Sequence, residues 1–311
     1  MVNPNATSTS VAGRTVLTRA LSSELDLRVM HTDHRGHAAE LATQATAAGV
    51  DLVVVLGGDG TINEVVNGML GPPRSFGDPA RRAPDLAVVP GGSANVFARA
   101  LGISVDPLEA TQQLLEAITA GSRRAVGLAH TDDRWFTFNA GLGWDAEVVR
   151  TVEEHRKIGK AATPGRYCWA AVSHYFRSKH HKPKITVQID GEEARTGLHT
   201  VFVSNTDPWT YLGTRAVRTN PGTAFSSGLG VFGLTSLNWP TIARVIPQML
   251  ARDGDPRARS LVRRDDVTMV RVHCSEPTGL QLDGDYVGAQ CDVIFSTVAE
   301  AIHVMVQPKV R

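Results

Sequence analysis

The chain has 311 residues, 42% hydrophobic and 20% charged, with a formal net charge of +1. That is room for two medium domains or one large one around an ordinary packed core, and it argues against a general nucleic-acid binder. Three cysteines, Cys168, Cys274 and Cys291, occur without a C-x-x-C, which argues against a disulfide framework or a thiolate zinc site.

The cysteines are expected to be small buried hydrophobes in a reducing cytosol. No apolar run approaches the roughly 20 residues that span a bilayer, and no charged-then-apolar signal opens the chain. A cytoplasmic protein is expected, with any membrane contact peripheral and at the inner membrane surface.

In chain order, MVNPNAT reads as a loop, although a parallel sheet would normally place its first strand there. A start upstream of Met1 is therefore one expectation. Residues 37–48, Ala-rich and ended by Gly49, predict a helix. DLVVVL (51–56) predicts a buried parallel strand, followed by a helix over Thr61–Leu70 that Gly71-Pro72-Pro73 stops. Residues 71–84 read as a Pro-rich surface loop. DLAVV (85–89) predicts a second strand, followed by a glycine turn, a helix over Ser93–Leu101 and another over Pro107–Ala120.

This alternation predicts an α/β domain with a parallel sheet, Rossmann-like, over 1–126. Ligands on such sheets bind at the carboxyl ends of strands, where both glycine loops fall. From residue 127 the texture changes. Strand-like stretches at 134–140, 184–189, 198–204, 229–237, 267–273 and 291–295 predict a mainly antiparallel β domain over 127–300. Two helices, near 145–155 and 165–178, interrupt it, and Asp190-Gly191 predicts a hairpin turn. AIHVMV within the final 301–311 segment is expected to return as a strand to the first domain.

The loop Gly57-Gly58-Asp59-Gly60-Thr61 carries the first chemistry. Glycines after a strand let backbone N–H groups approach an anion, and the next helix N-terminus adds a favourable dipole. Thr61 is expected to cap that helix and reach a phosphate oxygen. Asp59 would hold the Mg²⁺ that neutralises a nucleotide triphosphate. No Gly-Lys-Ser/Thr follows, so this is not a Walker A loop. In the second loop, Pro90–Asn95, Ser93 offers a hydroxyl at a helix N-terminus and Asn95 an amide. The pair of loops reads as two walls of a nucleotide site.

With VNPNAT, GGDGTINEVVNG, PGGSANVFARALGI, FNAGLGWDAEVV and LDGDYVG spread over residues 2–288, the chain resembles the diacylglycerol kinase catalytic-domain family, which includes bacterial soluble lipid kinases and sphingosine and ceramide kinases. The resemblance implies an ATP-binding α/β domain, a β-rich lipid-substrate domain and a cleft between them. It implies ATP and Mg²⁺ as cofactors, a lipid hydroxyl as acceptor, and phosphatidic acid or an analogue as product. Nucleotide contacts are implied at Asn3, Pro4, Thr7, Thr32, Gly57, Gly58, Asp59, Gly60, Thr61, Asn63, Glu64, Gly92, Ser93 and Asn95. The segment Leu282-Asp283-Gly284-Asp285 would supply the base, with Asp285 where the family usually has Glu, helped by Asp283, while Asp59 organises the metal. Ser227 and Leu229 stand where an Asp-Gly-Leu segment often binds a structural Mg²⁺. A homodimer is an assembly left open.

The sequence departs from the family at Val96 and Val126, where Asp is usual, as well as at Ser227 and Asp285. A non-catalytic nucleotide- or lipid-binding relative is an alternative on that ground. An NAD kinase is another, since that family also carries GGDGT; PGGSANVFARALGI and LDGD favour the lipid acceptor. Read without the resemblance, LDGD is a β-hairpin Asp-Gly turn. His31, His34 and His37 fall at i, i+3, i+6 without a firm ligand pattern and read as a solvated helix start. Asp132-Asp133 reads as a turn, and the pairs at 81–82, 123–124 and 263–264 as solvated arginines. Lys179–Lys184 could meet anionic headgroups.

Overall fold

The computed structural model describes residues 1–4, 11–76, 83–157 and 183–308, and the chain divides into two compact units. Unit 1 comprises Met1–Leu128, Asp132–Trp135 and Glu300–Arg311; unit 2 comprises Ala129–Thr131 and Phe136–Ala299.

Unit 1 is built on short parallel strands. β1 (Leu52–Gly57) pairs with β2 (Asp85–Pro90) in register from Leu52↔Asp85 to Gly57↔Pro90. Both are nearly continuous apolar runs because helices cover both faces of such a sheet. A late stretch of the chain joins them, with Val304 parallel to Leu86. The first residues also take a strand's place, where the sequence read as a loop. Val2 bridges both Leu56 and His31 in parallel. Its N–H donates to Met30 O at 2.8 Å, and its carbonyl accepts from Thr32 N–H at 3.0 Å. Two apolar residues ahead of Pro4 are too short a run to show a period. The Met1 ammonium donates to Val54 O at 2.6 Å, and burial pushes its pKa down to about 6.

Around this sheet lie α1 (Val11–Ser22), α2 (His37–Ala47), α3 (Asp59–Leu70), the five-residue α4 (Val96–Ala100) and α5 (Pro107–Thr119). The ends of α5 follow from sequence: Asp106 accepts from the Leu108 and Glu109 amides, and Pro107 occupies the first turn, where its missing N–H costs nothing. α3 starts two residues earlier than the periodicity predicts, which places Asp59 in its first turn.

Unit 2 is antiparallel. β13 (Met269–Leu282) is its spine. It pairs with β14 (Asp285–Met305), β5 (Asn139–Gly143) and β6 (Ile185–Ile189). Beyond β5 follow β8 (Thr200–Ser204), β11 (Leu229–Leu234) and β12 (Leu261–Val267), and β7 (Arg195–Leu198) flanks β6. The β6–β7 connection carries Gly191 at φ 77, where the sequence placed a hairpin turn. A separate hairpin joins β9 (Thr210–Leu212) to β10 (Arg215–Val217). The core includes Leu142, Val203, Val231, Val272 and Phe295, all buried.

Two helices accompany these strands, α6 (Trp144–Lys157) and α7 (Trp239–Leu250). The helix predicted at 165–178 lies outside the described residues, as do Cys168 and the pair at 81–82. β3 (Arg123–His130) and β4 (Trp135–Phe136) complete the strands.

Two surface expectations are corrected. Cys274 is buried as expected, but Cys291 is exposed, in a stretch of β14 where residues 289–292 are all exposed. Arg263 and Arg264 are not merely solvated: Arg263 is largely covered and pairs with Asp255, and Arg264 grips Glu192 through two nitrogens at 2.7 and 3.0 Å. Among the described residues, no helix is long and apolar enough to cross a membrane.

Candidate functional site

The two glycine loops of unit 1 lie side by side at the carboxyl ends of β1 and β2. Gly91 N–H donates to Gly57 O at 2.8 Å. Backbone meets backbone here: a Cβ on Gly92 would fall 2.8 Å from Gly58 Cα, closer than real side chains come. Only glycine lets both loops occupy this space.

Asp59 ties them together. Its Oδ2 accepts from Val96 N–H at 3.1 Å and its Oδ1 from Phe97 N–H at 3.2 Å. These are the first amides of α4, whose own N-cap residue, Asn95, makes no capping bond. Asp59 is also the first residue of α3. A carboxylate in the first turn of α3 therefore caps the amide end of α4, a placement that favours negative charge. The acid in a phosphate-type loop has a structural reason before any ligand is considered.

The neighbouring side chains are placed as follows. Thr61 does not cap α3; Gly58 holds the N-cap position, and Thr61 Oγ1 accepts from Asn3 Nδ2 at 3.0 Å. Asn95 turns its amide back on its own loop, accepting from Gly92 N–H at 2.9 Å and donating to Gly92 O at 2.8 Å. It adopts φ 48, a left-handed conformation that Asn tolerates better than most residues. Helix α4 begins at Val96, so Ser93 stands ahead of it and is exposed rather than at its N-terminus. Thr32 is buried beside Val2. Pro4 is exposed, and its carbonyl accepts from Arg14 at 3.0 Å. Thr7 lies outside the described residues.

Asn63 and Glu64 sit further along α3. Asn63 is fully buried; its Nδ2 donates to Trp135 O at 3.0 Å and its Oδ1 accepts from Arg134 Nη2 at 2.7 Å. Glu64 Oε1 accepts from Gly36 N–H at 2.9 Å, tying α3 to the turn before α2. In that turn Asp33, His34 and His37 gather their polar atoms within 4.8 Å, and His31 is not among them. The Asp33 carboxylate beside His34 pushes that imidazole's pKa up.

In unit 2, Leu282–Asp285 is a two-residue hairpin turn between β13 and β14. Both central residues have positive φ, Asp283 at 49 and Gly284 at 80, as a type I′ turn requires. The hairpin reading of LDGD is thus right about the backbone. It misses what the acid does. Asp283 Oδ2 accepts from Thr137 N–H at 2.6 Å and Thr137 Oγ1 at 2.8 Å, and Oδ1 from Phe138 N–H at 2.9 Å and Asn139 N–H at 3.1 Å. The strand predicted over 134–140 breaks at Thr137–Phe138 because these amides turn to the carboxylate. Asp283 is 5% exposed. Burial pushes its carboxyl above the ordinary value, and the bonds from Thr137, Phe138 and Asn139 pull the other way. Asp285 follows at the foot of β14, opposite Leu282 and half-buried.

Gln281 and Asn139, which the sequence did not single out, steady this turn. Gln281 donates to Asn139 Oδ1 at 2.9 Å and accepts from Gly284 N–H at 2.8 Å. Asn139 passes the chain on, donating to Trp209 O at 2.7 Å.

Elsewhere in unit 2, Ser227 spends its hydroxyl inside its own turn, accepting from Ala224 N–H and bonding Gly228 O. Gly228 N–H donates to Asp266 Oδ1 at 2.8 Å ahead of Leu229. Asp265 accepts from Asn220 at 2.8 Å. These carboxylates, absent from the sequence reading, meet protein donors here, and the donor set fits a closed hydrogen-bonded turn better than a cation site.

The comparisons with known proteins agree with this frame. The family model of the diacylglycerol kinase catalytic domain matches residues 1–126. The chain is 28% identical over 282 residues to the diacylglycerol kinase of Bacillus subtilis, covering 88% of this chain and 83% of that protein. It is 34% identical over 125 residues to the protein named probable lipid kinase YegS-like of Chromohalobacter salexigens, over 40% of this chain and 37% of that one. Among solved structures, a diacylglycerol kinase of Bacillus anthracis has the same fold, with a TM-score of 0.71 at 21% identity, covering all of this chain and 96% of that one. Residues 1–126 match the model of the diacylglycerol kinase catalytic domain, and the fold is shared along the whole length of the chain with that solved structure.

Proposed function

We propose that the protein is an ATP- and Mg²⁺-dependent lipid kinase of the cytoplasm. It transfers the γ-phosphoryl group of ATP to a hydroxyl of diacylglycerol or a related lipid, releasing ADP and phosphatidic acid or its analogue. The observation that carries this reading is the pair of backbone-close glycine loops clamped by Asp59, in a segment that matches the diacylglycerol kinase catalytic domain.

The residues fit the roles. The amides of Gly58–Thr61 and of Ser93 would bind the phosphates, while those of Gly91 and Gly92 hold the two loops in shape. Asp59 is a partly exposed carboxylate beside them, a hard oxygen donor suited to Mg²⁺ directly or through water. The ion, when bound, neutralises charge on the triphosphate. Asp285 takes the proton of the lipid hydroxyl as that oxygen bonds phosphorus, and the bond from phosphorus to the leaving ADP oxygen breaks. Asp283 and Gln281 are positioning residues, holding the turn that carries Asp285. Asn63 and Glu64 position α3. No step is routed through Ser227 or Leu229. A bilayer substrate requires peripheral contact with the inner membrane surface; of the segment Lys179–Lys184 only the last two residues are described, and Lys184 there is paired with Glu276.

The test is incubation of the full chain with labelled ATP and a lipid panel, with NAD as a control acceptor. Labelled lipid supports the reading; labelled NAD alone, or no product from a protein that binds ATP, overturns it. Asp285→Asn should cut turnover by about 100-fold or more with ATP affinity unchanged.

A further inference from the structure

Helix α7 has an outward face that an ordinary surface helix would not carry. Its inward side is Thr241, Ile242 and Val245; the two aliphatics pack with Phe202, Phe232 and Leu234. Six of its positions are exposed: Trp239, Pro240, Ala243, Arg244, Ile246 and Pro247. Only Arg244 among them is charged, whereas surface helices normally turn charged and polar residues to water. Trp239, Ala243 and Ile246 recur at i, i+4, i+7 and so share one stripe, which Leu250 continues. Trp239 is 71% exposed and Ile246 40%. Single exposed apolar residues need no explanation, but a stripe of them marks an interaction surface.

Cations crowd the end of the same helix. Arg215 donates to Leu250 O at 2.9 Å, Arg218 to Arg252 O at 3.1 Å and Arg244 to Arg257 O at 3.1 Å. Arg252, Arg257 and Arg259 follow the helix and are exposed. Arg218 pairs with Asp207, and Arg257 with Asp255. Among the described residues, Arg215, Arg244, Arg252 and Arg259 take part in no ion pair.

We infer that α7 and these arginines form a docking face for an anionic lipid bilayer. Trp239 and Ile246 enter the headgroup region, and the arginines meet lipid phosphates. Tryptophan favours that boundary because its ring is apolar and its N–H polar. The charge argues against a second copy as occupant, since a two-fold contact through this face would set the arginine cluster against itself. The inference rests on the lipid-kinase reading, because a kinase of bilayer lipids must hold a membrane surface while turning over.

The experiment is sedimentation of the full chain with vesicles of phosphatidylglycerol and phosphatidylcholine, and with phosphatidylcholine alone. Binding should require the anionic lipid and weaken with salt. The double variant Trp239→Ala/Ile246→Ala should lose about tenfold in partitioning, and Arg252→Ala/Arg259→Ala a similar amount, about fivefold for each cation removed being the upper range. Both should melt as the parent does and phosphorylate lipid dispersed in detergent micelles at the parent's rate. Unchanged vesicle binding by both variants overturns the inference. So does a dimer that the Trp239/Ile246 variant splits while vesicle binding stays the same. If the parent binds vesicles through this face but phosphorylates no micellar lipid, the docking surface stands and the kinase reading falls.

Discussion

Asp59 in unit 1 and Asp283 in unit 2 are the same device at two strengths. Each is an acid in a glycine-containing turn, and each binds backbone amides far along the chain. Asp59 reaches 37 and 38 residues forward; Asp283 reaches 144 to 146 residues back. Asp59 caps α4 with two amide bonds and stays partly exposed, while Asp283 is 5% exposed and collects three amides and a hydroxyl. The difference teaches that an acid in a motif can be there for its neighbours' backbone. Only the exposed one of the two retains access to a ligand.

The largest effect should come from the saturated acid. Asp283→Ala leaves the Thr137, Phe138 and Asn139 amides buried without their acceptor, so we expect a loss of about 3–5 kcal/mol in stability. Urea unfolding would measure it. ATP affinity in unit 1 should be unchanged in the folded fraction. A loss below about 1 kcal/mol would show that water replaces the carboxylate and that the two acids are not the same device.

Much of this was legible in the sequence, and what was not has two kinds of cause, distant partners and weak local patterns. β1, β2, α3 and α5 announce themselves through local periodicity and punctuation, so their reading needs no knowledge of the rest of the chain. The glycine loops are legible for the same reason. The roles of Asp59, Asn95 and Asp283 are not, because their partners are set by folding rather than by spacing. The break at Thr137–Phe138 has no local breaker; it is caused by an acid more than 140 residues away. Helix α7 was missed because Trp, Thr, Ile and Val dilute its helical pattern and Pro247 lies inside it. A signal was available: Asn238 followed by Pro240, with Asn238 accepting from Thr241 N–H at 3.0 Å, is an N-cap with proline in the first turn. β3 was hidden by its opening arginines.

Gly92→Ala should come next. Its new Cβ meets Gly58 backbone, which cannot swing aside as a side chain would. The loops must part, at about 2 kcal/mol. Unlike Asp283→Ala, this change should also weaken ATP binding, and equilibrium dialysis would tell the two apart. Asp59→Ala should destabilise less, about 1 kcal/mol, as expected for losing a helix cap. Its effect on Mg·ATP affinity should exceed its effect on stability. If stability alone falls, Asp59 is a clamp like Asp283, and the metal role proposed for it fails.

The smallest effect contrasts two acids of unit 2. Arg263 and Arg257 beside Asp255 hold its carboxyl below the ordinary value of 3.8, the opposite of the direction in which burial drives Asp283. An acid whose pKa is depressed on folding binds fewer protons in the folded than in the unfolded chain around that value. Its contribution is therefore present above about pH 3.8 and is lost as pH falls through the folded pKa. Arg257 is exposed and Asp255 only partly covered, so the effect should be slight and sensitive to salt. Arg263→Ala should make the acid side of the stability profile shallower in this window, and 0.5 M salt should do part of the same in the parent. An unchanged profile in Arg263→Ala would mean that Arg257 alone holds the carboxyl down, and Arg257→Ala should then reproduce the loss.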